Sequence, residues 1–307
     1  MINQKNVRHI INDNLIKKKN IVDKIMPVFF FLAALVSVIT TIGIVLTLII
    51  DAFRFFEAIP LSEFFSANLS PLRENPSFGI LPLIVGTLMT TLIAMCVAVP
   101  VGLAAAVYLS EFASQKKRKV LKPIMEILAG IPTIVYGFFA YSFVTPLLMK
   151  VIPSLNAKNV LSAGIVMGIM IIPMIASLSE DAMQAVPNAL REGAFGLGST
   201  RLEVTRKVVI PAAISGILAS VVLAVSRAIG ETMIVVIAAG SSKNLSFDIT
   251  ESMQTMTAYI VEFTSGDAAS GTTGYYSLYA VGLLLFVFTM LMNLITQLIT
   301  KKIREEY

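Results

Sequence analysis

The stretch that decides the fold is Asp181–Pro211, DAMQAVPNALREGAFGLGSTRLEVTRKVVIP, the longest polar interruption in an otherwise apolar second half. Pro187 can open a helix, because its missing N–H would have no partner in a first turn anyway. Gly198 is suited to end that helix, because it has no Cβ. Thr200 and Glu203 then match a capping box, which starts a new helix. The pattern predicts a helix, a tight glycine turn and a second helix between two apolar segments. Such a polar segment between membrane spans can bind a soluble partner protein.

The same stretch resembles the cytoplasmic EAA loop of ABC-importer permeases. Glu192-Gly193-Ala194 is followed by Gly198 and then by Val208-Val209-Ile210-Pro211, and the family pattern has alanine where Gly193 stands. The resemblance implies a coupling helix that docks into a groove of an ATP-hydrolysing subunit. The residues that it assigns to this ATPase contact are Leu190, Arg191, Glu192, Gly193, Ala194, Gly198 and Pro211. The alternative is an ordinary amphipathic loop between helices. A nucleotide-binding P-loop is excluded, because the glycines lack the lysine and follow a helix rather than a strand.

The composition places the chain among membrane proteins. Of its 307 residues, 56% are hydrophobic and 14% are charged, whereas about 25% of the residues in soluble domains are charged. One histidine, His9, and one cysteine, Cys96, provide neither a histidine-based metal site nor a catalytic triad. We therefore expect no metal, no cofactor bound by this chain and no catalytic residue. The net charge of +5 does not indicate nucleic-acid binding, because the basic residues follow the membrane topology.

Six apolar segments are long enough for membrane helices, which need about 20 residues. They predict an all-α integral membrane protein with spans at 26–50, 80–110, 123–149, 161–179, 212–239 and 275–300. The predicted organisation is a tail (1–25), an anchor helix (26–50), an outer loop (51–79), a permease core of five helices (80–302) that contains the coupling loop (181–207), and a short tail (303–307).

The distribution of charge orients the chain in the membrane. Segments 1–25, 111–122 and 301–307 are basic, and six spans place all three on the same side, which is the cytosolic side by the positive-inside rule. The acidic segments 51–79 and 240–274 then lie outside. We expect a multi-pass protein of the cytoplasmic (inner) cell membrane with both termini in the cytosol.

Three charged residues fall inside the predicted spans: Glu126, Arg227 and Glu231. Glu126 lies near the cytosolic end of the third span and can pair with Lys122, which is a structural role. Arg227 and Glu231 are four residues apart, so that a continuous helix would place them on one face near the middle of the fifth span. A charge there costs about 2.5–3.5 kcal/mol on insertion scales and usually marks a pathway. The alternative is a buried ion pair that fixes helix packing.

The residue types favour an oxyanion as the substance that moves along such a pathway. A guanidinium presents a planar fork of donors that suits tetrahedral oxyanions. A nearby carboxylate repels the anion unless one of the two carries a proton. Phosphate keeps a proton at neutral pH and can donate it to Glu231, whereas sulfate cannot. Arg227 and Glu231 together therefore predict a preference for a protonated oxyanion.

A second resemblance names the substrate class. Ser226–Met233, SRAIGETM, resembles the RAIGET segment of phosphate-importer permeases, and Glu126–Gly137 and Phe78–Thr87 resemble two further stretches of that subfamily. Tyr136 and Met233 favour its PstC type over its PstA type. The resemblance covers about residues 25–305 and implies a type I ABC-importer permease fold. It implies that the substrate pathway is lined by Ser226, Arg227, Glu231 and Thr232, with Glu126 and Tyr136 as secondary candidates.

The phosphate-importer family also implies an assembly. A second homologous permease of the PstA type, two ATPase subunits that use ATP and Mg, and an extracytoplasmic phosphate-binding protein would join this non-catalytic chain, which would move phosphate by alternating access. A homodimer is an alternative. Three other functions stay open: import of another oxyanion (sulfate, molybdate or phosphonate), secondary anion transport without ATP, and membrane enzymology, for which no nucleophile–base pair is available.

Overall fold

The computed structural model describes residues 4–267, 269 and 271–305. The chain divides into two units, Met1–Asp51 and Ala52–Tyr307. The first unit consists of most of one helix, α1 (Gln4–Ala58), whose apolar part begins at Ile25. The side chains from Ile25 to Ile44 are exposed, for example Phe29 and Phe31, as suits a helix surrounded by lipid. The helix continues past the predicted limit of residue 50 to Ala58, because the next helix breaker is Pro60, which disfavours the helical conformation at Ile59.

The second unit contains the remaining elements. Its core is formed by three helices, α3 (Leu81–Val107), α7 (Val160–Gln184) and α10 (Ile210–Ile229). The strands β1 and β2 form a two-stranded antiparallel ladder inside the predicted outer loop 51–79. The elements are α2 (Leu61–Phe64), β1 (Leu69–Ser70), β2 (Ser77–Phe78), α3 (Leu81–Val107), α4 (Gln115–Gly130), α5 (Thr133–Phe139), α6 (Thr145–Met149), α7 (Val160–Gln184), α8 (Asn188–Gly196), α9 (Arg201–Val204), α10 (Ile210–Ile229), α11 (Met256–Glu262) and α12 (Thr273–Glu305).

Wide π-helical turns join several of these helices into longer ones. Tyr108–Phe112 extends α3, Ala140–Val144 joins α5 to α6, and Thr205–Val209 joins α9 to α10. In the described part of the chain, five helices are long and apolar enough to cross a membrane, and the count reaches the predicted six if α4 and α5–α6 are one broken span.

The third span is bent, whereas the sequence predicts one helix over residues 123–149. The chain turns by 87° between α4 and α5. Pro132 disfavours the helical conformation at the residue before it, and Ile131 is accordingly extended, with φ −67° and ψ 129°. The Tyr136 hydroxyl spans the bend, because it donates a hydrogen bond to the Leu128 carbonyl (2.9 Å).

The fifth span lies further toward the N-terminus than the predicted 212–239. Its helix runs from Arg201 to Ile229. It starts early because the capping box at Thr200 initiates α9, which continues into α10 through a π-helical turn. It ends early because the chain leaves the helical conformation at Gly230, ahead of a separate helical segment at residues 233–239.

Small residues bring α3 and α7 into close contact. A Cβ on Gly168 would lie 2.8 Å from the Ala94 carbonyl oxygen, and one on Gly164 would lie 2.7 Å from the Ile93 Cβ. Ala98 and Ile171 are completely buried nearby. Backbone-to-backbone approach at small residues is the usual means by which membrane helices gain packing energy.

Part of the predicted outer loop 240–274 is buried. Met253, Met256 and Tyr259 are each 2% exposed or less. The Thr87 hydroxyl of α3 accepts a hydrogen bond from the Met256 N–H (3.0 Å), and the Tyr259 hydroxyl lies 2.7 Å from Ser277 Oγ. Met256 and Tyr259 lie three residues apart on one face of the short helix α11, within a stretch whose polar composition predicts only a loop outside the membrane.

Candidate functional site: coupling loop and substrate pathway

The predicted coupling helix is α8, and its two ends have the predicted chemistry. Pro187 is the N-cap residue, and the helix begins at Asn188. At the other end the Ser199 N–H donates to the Ala194 carbonyl (3.2 Å) and the Gly198 N–H donates to the Phe195 carbonyl (2.9 Å). This is a Schellman motif. It requires a left-handed residue, and Gly198 supplies it with φ +82°.

The capping box that starts α9 is also confirmed. The Thr200 N–H donates to Glu203 Oε2 (2.9 Å), and the Glu203 N–H donates to Thr200 Oγ1 (3.4 Å). The turn between α8 and α9 is therefore fixed by local sequence on both sides. Pro211 lies away from this turn, at the start of α10 directly after the π-helical turn Thr205–Val209.

Arg191 faces the protein interior. Its guanidinium donates hydrogen bonds to the Val186 carbonyl (2.5 Å) and the Met183 carbonyl (2.7 Å) at the end of α7. It also forms an ion pair with Glu111 Oε1 (3.2 Å), in which the two side chains are 14% and 9% exposed. The last carbonyls of a helix have no partner within the helix, so that Arg191 caps α7 and ties α8 to the end of the span that α3 begins.

The residues around Arg191 on α8 face outward. Glu192 is exposed, and its carboxylate makes no hydrogen bond or ion pair with any residue in the described ranges. Several apolar side chains of α8, the following turn and α9 are exposed as well: Leu190, Phe195, Leu197 and Leu202 are 49%, 46%, 89% and 65% exposed. Ala194 is half-buried. A Cβ on Gly193 would meet nothing within 4 Å, so that the alanine of the family pattern would fit there.

Glu231 does not share a helical face with Arg227, and that prediction is wrong. Arg227 lies in the last turn of α10, the helix ends at Gly230, and Glu231 lies beyond the break. Glu231 is 8% exposed, and its Oε1 accepts a hydrogen bond from the Ile234 N–H (3.5 Å). Its backbone carbonyl accepts from the Thr257 hydroxyl (2.7 Å). Glu231 therefore caps the next helical segment, as a side-chain acceptor at a helix N-terminus does.

Arg227 faces a cavity of about 320 Å³ between α4, α7 and α10. The polar residues that line the cavity are Lys122, Glu126, Ser177 and Arg227. An Arg227 Nη atom lies 4.0 Å from Met170 Sδ. The structure thus brings Arg227 together with the secondary candidate Glu126 instead of with Glu231.

The other predicted pathway residues make structural contacts. Ser226 Oγ donates to Asn293 Oδ1 of α12 (3.1 Å), and Thr232 Oγ1 donates to the Gly230 carbonyl at the break (3.3 Å). Tyr136 is 7% exposed and holds the bend described above. Among the residues that the structure describes, the lining of the cavity includes none of these three.

Sequence reasoning missed Glu180. The fourth span was predicted to end at Ser179, but α7 continues to Gln184 and buries Glu180 completely. Glu180 forms ion pairs with Arg118 (2.8 Å) and Lys122 (3.3 Å) of α4, so the prediction that only three charges lie inside the spans is wrong. Met183, which is 1% exposed, lies four residues after the buried Ser179 and extends the buried face of α7. This helical spacing in the sequence is the signal that would have shown that α7 continues through Glu180.

Comparisons with known proteins agree with this geometry. Residues 98–305 match the family described as binding-protein-dependent transport system inner membrane component. The probable ABC transporter permease protein YqgH of Bacillus subtilis is 34% identical over 243 residues, which is 79% of this chain and 78% of that protein. The phosphate transport system permease protein PstC of Mesorhizobium japonicum is 33% identical over 311 residues, which is 95% of this chain and 94% of that protein.

Solved structures show the same fold. A bacterial alginate ABC transporter, crystallised with a periplasmic protein that holds an alginate pentasaccharide, has a chain that is 15% identical, with a TM-score of 0.62 over 90% of this chain and 94% of that one. The inward-facing MetNI methionine ABC transporter gives a TM-score of 0.54 at 18% identity, over 73% of this chain and 94% of that one. The chain therefore belongs to the family of binding-protein-dependent transport system inner membrane components, the permease subunits of ABC transporters, in which separate subunits carry the ATPase.

Proposed function

We propose that this chain is the permease subunit through which an ATP-driven importer moves inorganic phosphate across the membrane by alternating access. The observation that carries the proposal is Arg227, a guanidinium on a membrane helix that faces a cavity. Among the described residues no carboxylate forms an ion pair with it. A charged side chain in a membrane segment raises the free energy of insertion, and such residues usually line the pathway of a substrate or an ion. Relatives named as phosphate transport permeases support phosphate as the oxyanion.

Under this proposal the predicted pathway residues have different tasks. Arg227 contacts the anion directly. Glu231 and Thr232 stabilise the non-helical residues that follow α10, a few positions after Arg227. Ser226 joins the same end of α10 to α12. Glu126 acts from the α4 wall of the cavity, whereas Tyr136 lies outside the lining and holds the bend between α4 and α5.

The coupling surface is the outer face of α8. The ATPase subunit contacts Leu190, Glu192, Gly193 and Ala194 there, while Gly198 ends the helix and Arg191 positions it from behind. The exposed apolar side chains Leu190, Phe195 and Leu197 at this short helix support the assignment, because exposed apolar surface on a folded chain commonly marks protein interfaces. Pro211 belongs to the base of α10, and its part in coupling is to shape the start of that helix.

The complete importer contains a second permease of the PstA type, two ATPase subunits that use ATP and Mg, and an external phosphate-binding protein. The alginate importer, which was crystallised with its periplasmic protein, supports a binding-protein partner. Both termini and α8 lie in the cytosol, and the chain spans the inner membrane. The basic segments 1–25, 111–122 and 301–307 support that orientation.

Uptake of labelled phosphate by proteoliposomes tests the proposal, with all partner subunits present and with ATP inside or absent. We expect phosphate uptake that depends on ATP and that excess sulfate does not inhibit. Arg227→Gln should abolish it, whereas Lys150→Gln, which removes one positive charge outside the cavity, should retain it. ATP-independent uptake would instead indicate a secondary transporter, and competition by sulfate would indicate a different oxyanion importer.

A further inference from the structure

We propose that the cavity between α4, α7 and α10 is a binding site for a protonated phosphate ion, in which Arg227 and Ser177 donate to its oxygens and Glu126 accepts the hydrogen bond from its P–OH group. This inference rests on the proposed function and adds the residue that would distinguish phosphate from oxyanions without a proton. The cavity has a volume of about 320 Å³, which lies at the small end of the range for ligand sites, about 300–1,000 Å³.

The walls of the cavity are two helical stripes. On α4 they are Lys122, Glu126 and Ala129, and on α7 they include Met170, Pro173 and Ser177. Residues at spacings of three, four and seven lie on one face of a helix. The stripe from Met170 to Ser177 rises about 10 Å along α7. The polar groups therefore line one continuous groove, with Arg227 entering it from α10.

The charged groups of this groove differ in whether they have partners. Lys122 already pairs with Glu180 (3.3 Å) and Asp181 (3.2 Å). Arg227 and Glu126 form no ion pair with any residue in the described part of the chain. The Arg227 guanidinium lies 4.0 Å from the Met170 thioether, and a thioether is a weak acceptor. One unpartnered cation and one unpartnered carboxylate therefore face the same cavity.

A protonated phosphate complements this combination. Its unprotonated oxygens accept from the guanidinium and the serine hydroxyl, and its P–OH donates to the Glu126 carboxylate. Sulfate has only acceptors at neutral pH, so that it would leave Glu126 without a donor and would be repelled by its charge. Sites that bind a substrate hydroxyl by hydrogen bonding reject analogues that lack it more strongly than apolar pockets reject a change in size.

Cysteine protection tests the site without relying on transport. The native cysteine is removed by Cys96→Ser, and Ala129→Cys places a reporter in the cavity wall. The full importer complex in nanodiscs, without nucleotide, reacts with a methanethiosulfonate reagent in the presence of inorganic phosphate or sulfate. We expect phosphate to slow modification at least about tenfold more than sulfate does, which is the lower end of the range for one hydrogen bond to a charged group.

Variants assign the effect to its residues. Glu126→Gln can donate to sulfate and should bring the protection by the two ions to within about twofold of each other, while Arg227→Gln should remove protection by both. Glu74→Gln, an exposed carboxylate in the loop 51–79, is the matched control and should behave as the parent.

The outcomes separate this inference from the proposed function. Normal ATP-driven phosphate uptake with no protection by phosphate would overturn the binding site and leave the function intact. Protection with the same ion preference in Glu126→Gln would overturn the role of Glu126. Absence of phosphate uptake in the parent complex would overturn the proposed function itself, whichever ion protects the cysteine.

Discussion

The Arg191 guanidinium lies 3.2 Å from Glu111 Oε1 and joins the coupling helix α8 to the end of the second span. Both side chains are largely buried, and breaking a buried pair by removing one partner typically costs about 3–5 kcal/mol. Arg191→Met removes the contacts of α8 with Glu111 and with the end of α7, whereas Glu111→Gln removes the ion pair alone. Each change should therefore loosen α8, the first more than the second. Hydrogen exchange should become at least tenfold faster in the amides of α8 but not in those of α10.

A double-mutant cycle checks that the two residues act on each other. The double variant Arg191→Met/Glu111→Gln should lower the opening free energy of α8, as measured by amide exchange, by less than the sum of the two single variants. The reason is that the ion pair is lost only once. The matched control is Glu192→Gln, which alters the neighbouring exposed residue and should leave the exchange of α8 unchanged. Strict additivity of the two changes would contradict the coupling.

Leu197 is 89% exposed at the end of α8 and should be a principal contact of the ATPase subunit. Leu197→Asp places a charge in an apolar interface and should reduce recovery of the ATPase with the purified permease at least tenfold. The variant should fold normally, because the side chain has so little contact with its own chain. Full recovery of the ATPase would show that docking occurs elsewhere.

Gly193→Ala should stabilise α8. A glycine inside a helix costs about 0.5–1 kcal/mol relative to alanine, and the space around the new methyl group is empty. Slower amide exchange in α8 and ATPase binding at least as tight as in the parent are the expected results. Weaker ATPase binding would mean that the partner needs direct approach to the backbone at this position.

Gly168→Leu should destabilise the contact between α3 and α7. Even a Cβ at this position would lie 2.8 Å from a backbone oxygen, and overpacking of a close contact typically costs about 1–3 kcal/mol. The measurement is the thermal unfolding midpoint of the reconstituted chain. Gly43→Leu on α1, where the space is open, is the control and should leave the midpoint within error.

Local chemistry made α8 predictable. Pro187, Gly198 and the capping box at Thr200 each act within a few residues of chain, so that the sequence determines the helix ends without reference to the rest of the molecule. The apolar spans were predictable for a similar reason, since length and composition decide whether a helix can cross a membrane.

Long-range partners were not predictable. Glu180 was overlooked because its ion pairs with Arg118 and Lys122 connect distant parts of the chain. Glu231 was paired with Arg227 because a continuous helix was assumed across Gly230, where the helix in fact ends. The family resemblance assigns Arg191 to the ATPase contact with its neighbours, because the carbonyls that it caps become visible only once α7 and α8 are placed in three dimensions.

The length of the helix that runs from Arg201 to Ile229 has a mechanical consequence. Its 29 residues form a rod of about 43 Å. The rod begins three residues after Gly198, at the end of the coupling helix, and its last turn holds Arg227. It acts as a lever: a tilt of about 5° imposed at its base would displace its tip by about 4 Å, enough to withdraw the guanidinium from a bound anion.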